Sequence, residues 1–93
     1  MISCFGILVK SASKEVCLEL EIDNANENPV TVVFKVCQET VQAQATLPVG
    51  RPGGIPPQVC ATYTTGPGPC TVKATATGAI GSTCFTDDFF PVV

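Results

Sequence analysis

The sequence predicts an all-β fold, an antiparallel β-sandwich or barrel. Three observations point to it. Apolar and polar side chains alternate with period two through most of the chain, clusters of Gly, Pro and Asn separate the alternating runs, and no window carries a helical period. The 93 residues make one domain, near the lower limit of what a single core stabilises unaided. With 45% apolar and 14% charged residues the chain has ample material to bury and little to keep it disordered. Its low charge also predicts a surface of Thr, Ser and small apolar residues, suited to packing against copies of itself.

Residues 1–13 read as an N-terminal arm, a short apolar run around Cys4 and Gly6 followed by Ser11, Ala12 and Ser13; residues 14–93 read as the β-sandwich domain. From residue 15 to 23, Val16, Leu18, Leu20 and Ile22 share one face, and Cys17, Glu19, Glu21 and Asp23 the other. Residues 24–29, Asn-Ala-Asn-Glu-Asn-Pro, carry turn chemistry. Residues 30–37 form a strand with Val30, Val32, Phe34 and Val36 together, and 40–47 alternates Val41, Ala43, Ala45 and Leu47 with Thr and Gln. The Gly- and Pro-dense stretch 48–57 is unfit for a central strand. Val59, Ala61 and Tyr63 alternate with Cys60, Thr62 and Thr64; a Gly-Pro-Gly-Pro turn follows at 66–69. Val72, Ala74 and Ala76 then mark another strand. In the last segment Phe85 and Phe89 lie on the face opposite Ser82, Cys84, Thr86 and Asp88.

The cysteines are the most informative residues. There are six, at 4, 17, 37, 60, 70 and 84, with no Cys-x-x-Cys pair and no His anywhere, so structural zinc is not expected and disulfides are. Disulfides imply an oxidising location. Cys17 shares its face with acids and Cys84 with Ser82, Thr86 and Asp88, while Cys37 lies on the side of Thr31 and Lys35. These three are therefore expected on outer strand faces, with Cys4 on the arm. Outward thiols suit bonds between chains; the plainer alternative is that Cys4 staples the N-terminus to its own domain. Cys60 and Cys70 flank the Gly-Pro-Gly-Pro turn and are the expected intrachain bridge, with Cys37 as an alternative partner.

The run Gly81-Ser82-Thr83-Cys84-Phe85-Thr86-Asp87-Asp88-Phe89 resembles the C-terminal motif of bacterial endospore appendage (Ena) fibre subunits: Gly, two or three residues, Cys, four residues, then Tyr, here replaced by Phe89. Glu15-Val16-Cys17-Leu18 is similar to that family's first-strand cysteine segment, and Cys4 stands where its N-terminal connector carries cysteines. The resemblance implies a jelly-roll sandwich with residues 1–13 as connector, and a helical polymer of identical subunits at a spore surface. It further implies that Cys4 bonds to Cys17 or Cys84 of a neighbouring subunit. The family's connector bears a Cys-Cys pair, whereas Cys4 stands alone, so at most one covalent bond per arm follows. Docking of the arm is expected to bury Ile2, Phe5, Ile7, Leu8 and Val9.

Other chemistry is set aside on residue grounds. The net charge of −3 and the scattered Lys10, Lys14, Lys35, Arg51 and Lys73 do not make a nucleic-acid footprint. Without His no cysteine has an evident base, and adjacent Asp87 and Asp88 point to opposite strand faces, so no catalytic site is expected. Asp23, Asn24, Asn26 and Glu27 read as a solvated turn in preference to a calcium loop. Residues 50–54 do not resemble a phosphate loop. No metal, cofactor or membrane span is implied. The start lacks a basic region and a clean cleavage site, and its Met favours export without a cleaved signal. Three functions remain: a self-assembling fibre subunit at a cell or spore surface, a secreted monomeric binding domain such as an adhesin tip, toxin or inhibitor, and a phage or capsid decoration protein.

Overall fold

The computed structural model describes residues 1–10, 14–50 and 57–92. Within them the chain forms seven strands: β1 (Ile2–Lys10), β2 (Glu15–Ile22), β3 (Val30–Val36), β4 (Glu39–Ala45), β5 (Gln58–Thr62), β6 (Gly68–Thr77) and β7 (Thr83–Val92). A 3-10 turn, Ala25–Glu27, joins β2 to β3. The strands make two antiparallel sheets, one ordered β1-β2-β5 and the other β4-β3-β6-β7, packed as a sandwich. The all-β sandwich expected from the alternation is the fold observed.

The core lies between the sheets because the alternation aims one face of each inward. Val16, Leu18, Leu20 and Ile22 of β2 are fully buried against Val30, Val32, Phe34 and Val36 of β3 and Val72, Ala74 and Ala76 of β6. Val59 and Tyr63 extend the core at β5, and Leu47 closes it beyond β4. Burying one such side chain fully is worth about 1.5–3 kcal/mol, so these strands carry most of the cohesion.

Three expectations are corrected. In this structure residues 2–10 are not an extended arm: they form β1, an edge strand paired with β2 from Ile2↔Ile22 to Lys10↔Glu15 across a bulge at Phe5. The apolar residues that predicted an arm satisfy a half-buried strand equally well. Residues 11–13 lie outside the described residues, as do 51–56 of the Gly- and Pro-dense stretch. Cys37 is no strand residue: the chain reverses there, with φ of 58°, in a two-residue loop between Val36 and Glu39. Its side chain therefore does not follow the period of β3. In β7, Cys84, Thr86 and Asp88 pair with Ala76, Ala74 and Val72 and so share the inward face. Phe85 and Phe89 are left outside, 73% and 67% exposed.

Candidate functional site

One of the three disulfides and the buried Glu27 lie where β1 meets the rest of the sandwich. Along β1, Ile2 and Ile7 are buried in the core and Val9 is half-buried against it, while Phe5 and Leu8 face solvent. Ile2, Ile7 and Val9 thus pack against the core of their own chain, where the arm was expected to dock on a neighbouring subunit. Cys4 is bonded to Cys84 of β7, with Cα atoms 5.9 Å apart, so the bridge ties the edge of one sheet to the edge of the other. Cys84 is one of the two receivers the resemblance implied, reached here in cis.

The other receiver, Cys17, does lie on the outer face of β2, as its acidic face-mates indicated, but it is fully buried and bonded to Cys60. The two are direct cross-strand partners on β2 and β5, with Cα atoms 4.0 Å apart. Cys37 is bonded to Cys70 at a Cα separation of 5.4 Å. The Cys60–Cys70 bridge is therefore not formed. The Gly-Pro-Gly-Pro turn does not close a hairpin; it carries the chain from β5 in one sheet to β6 in the other. Each of these two cysteines finds a partner within its own sheet region. Glu15 sits close to the Cys17–Cys60 pair, with Oε1 3.7 Å from the Cys17 sulfur, but with both sulfurs in a disulfide the cluster offers no thiolate to a metal.

At the end of the sandwich where β1 begins, the Met1 amino group makes ion pairs with Asp23 and, at 3.0 Å, with Glu27. Glu27 belongs to the turn read from sequence as solvated, and this is a further correction: the residue is fully buried. Neither of its carboxylate oxygens has a hydrogen bond of full geometry among the described residues. Ser82 first, and then the Met1 ammonium, hold its carboxyl below the ordinary range despite burial. Asp23 is lowered chiefly by its contact with the amino group, which is itself raised by Asp23 first and Glu27 second. Asn24, by contrast, caps the 3-10 turn, accepting from the Asn26 N–H.

Two polar clamps escaped the sequence reading. The Glu39 carboxylate accepts from the Thr65 hydroxyl at 2.7 Å and from the backbone N–H groups of Thr64 and Thr65, anchoring the chain that leaves β5 to the start of β4. The Thr65 hydroxyl and then the Thr64 N–H hold its carboxyl below the usual value. The Asn28 side chain exchanges two 2.8 Å hydrogen bonds with the backbone of Leu47. Nothing local in sequence marks either contact, since each partner lies at least 19 residues away.

The fold and its three bridges define a small, disulfide-rich all-β domain suited to an oxidising environment. No family model, curated protein or solved structure matches this chain. Among the described residues no helix is long and apolar enough to cross a membrane.

Proposed function

We propose that this chain is a non-catalytic structural subunit of an extracellular or spore-surface fibre, in which β1 of one copy takes the β1 place of the next. The observation that carries the reading is the position of β1. It is an edge strand whose neighbour in the sheet is β2, and one disulfide between residues 80 apart in sequence tethers it to β7. A β1 that leaves its own sandwich exposes a slot bounded by β2 and Cys84, complementary to an identical strand. Exchange of an identical element is a low-cost route to assembly, because the strand pairing and packing given up in cis form again in trans. The Cys4–Cys84 bond then forms between chains with the same local geometry. The exposed apolar side chains of Phe5, Leu8, Phe85 and Phe89 add support, since a free monomer has little use for them.

A second reading, a secreted monomeric binding domain, is favoured by the closure of all six cysteines within one chain. Mass spectrometry of unreduced peptides from mixed light and heavy isotopic subunits separates the two. Fibres by negative stain, with mixed-isotope Cys4–Cys84 peptides, are the expected result. Monomer at high concentration, with that peptide always of a single isotope, supports the binding domain and overturns the fibre.

A further inference from the structure

We propose that covalent assembly of this chain is a ring-opening polymerisation, started by one small thiolate and carried forward by Cys84 without an oxidant. This chemistry presupposes the exchange of β1 between copies and controls when it happens. All six cysteines are paired within the chain, so a closed subunit offers no thiol with which to bond a neighbour. The three bridges are not equivalent. Cys17–Cys60 links the paired strands β2 and β5, and Cys37–Cys70 links the β3–β4 loop to β6, the strand beside β3. Opening either leaves its strands side by side in one sheet. Cys4–Cys84 joins the two sheets edge to edge and ties β1 to β7, a strand it does not pair with. While that bond is closed, β1 cannot pass to another subunit. The bond is a latch.

Thiolate attack opens the latch with no net change in oxidation state. A small thiolate RS⁻ attacks the Cys4 sulfur; an RS–Cys4 bond forms, the Cys4–Cys84 bond breaks, and the electron pair leaves on Cys84 as a thiolate. That thiolate attacks the Cys4 sulfur of a second subunit. A Cys84–Cys4 bond forms between chains, the second subunit's own Cys4–Cys84 bond breaks, and its Cys84 becomes the new thiolate. The released β1 then seats in the first subunit's slot with the pairing Ile2↔Ile22 to Lys10↔Glu15. Each addition consumes one thiolate and one disulfide and returns one of each. The latch is open to such attack: both its cysteines are half-buried on edge strands, whereas Cys17 is fully buried. The β1–β2 ladder is also interrupted by the bulge immediately after Cys4, beside the sulfur to be attacked. Attack on the Cys84 sulfur would join two Cys84 residues and tether no β1, so docking of the strand selects the productive bond.

The consequence is growth from one end with a fixed number of initiators. Each fibre keeps the initiating thiol on the Cys4 of its first subunit and one free thiolate on the Cys84 of its last. Fibre length therefore follows the ratio of subunits to thiol. More thiol gives shorter fibres, because it starts more chains. An alkylating agent stops the growing end and leaves closed subunits untouched.

The test takes the full oxidised chain, caps stray thiols with iodoacetamide, removes the reagent and adds 2-mercaptoethanol at a series of substoichiometric ratios. Negative-stain lengths and unreduced peptide masses are read, and the isotope-mixing experiment is run with the same trace of thiol. Assembly is expected only with thiol, mean length doubling when the thiol is halved, with 2-mercaptoethanol found on Cys4. Assembly at the same rate without thiol, or a length independent of the ratio, overturns the ring-opening mechanism and leaves strand exchange standing. A variant carrying both Cys4→Ser and Cys84→Ser has no latch and should assemble by strand packing with no thiol at all. Fibres from that variant but none from the thiol-treated parent overturn the ring-opening step alone. Fibres from neither overturn the exchange of β1 and this mechanism with it.

Discussion

Single residues in this domain act through what surrounds them, and burial alone does not rank them. Phe34 is the largest fully buried side chain, at the centre of β3. Phe34→Ala is predicted to cost about 3–5 kcal/mol in denaturant unfolding, from lost transfer energy plus the cavity left behind. Gly78→Ala adds one methyl group, yet it should destabilise by about 1–3 kcal/mol, because the Glu27 carboxylate occupies the space. A neutral result would show that Glu27 can swing away. The charges set a pH window of definite sign. Glu27 and Glu39 have folded-state pKa values below their ordinary 4.5, so their contribution is present above that pH and is lost as pH falls through the lowered values. The urea midpoint is predicted to fall along an acid limb below roughly pH 5. Glu39→Gln should flatten only the acid limb; an unchanged acid limb would remove Glu39 from the account.

At the scale of elements, the strands divide into central ones that period-two alternation describes and edge ones that it does not. β2, β3 and β6 each have neighbours on two sides and one face on the core, so their buried and outer faces separate as the residues suggest. β7 is an edge strand whose two faces offer phenylalanines or small polar residues. Hydrophobicity favours turning the phenylalanines inward, but the pairing with β6 and the bond from Cys84 to Cys4 fix the opposite choice. The disulfides differ in the same way. In the chain-entropy picture, loops of 80, 43 and 33 residues are each worth about 4 kcal/mol, so loop length does not rank them. Access does: Cys17 is fully buried on a central strand, while Cys4 and Cys84 are half-buried on edges. Mild reduction of the native protein, read by differential alkylation and peptide mass mapping, should open Cys4–Cys84 well before Cys17–Cys60. The reverse order would mean that β1 is seated more firmly than its edge position implies.

The whole molecule is a slab of 37 × 27 × 17 Å, broad and thin. Phe85 and Phe89 stand on the outer face of one sheet, where they contribute little to the fold. Phe85→Ser with Phe89→Ser should therefore shift unfolding by no more than about 0.5 kcal/mol per site. Self-association measured by light scattering should fall markedly in the same variant. Unchanged association would move the contact surface elsewhere, and a large stability loss would mean that the phenylalanines pack inward after all.

The amino-acid sequence by itself determined the all-β class, the facing of β2, β3 and β6, and the expectation of disulfides, because each rests on short-range periodicity or on residue counts. Tertiary structure alone decided the rest. Which cysteines pair depends on which sheet each strand joins: β5 and β6 are consecutive yet lie in different sheets, so Cys60 and Cys70 part company and find Cys17 and Cys37. The cluster of Met1, Asp23, Glu27, Gly78 and Ser82 draws on three separated stretches of chain. A glutamate in an Asn-rich turn looks solvated until the fold places a glycine and a strand terminus over it, since burial is a property of neighbours in space.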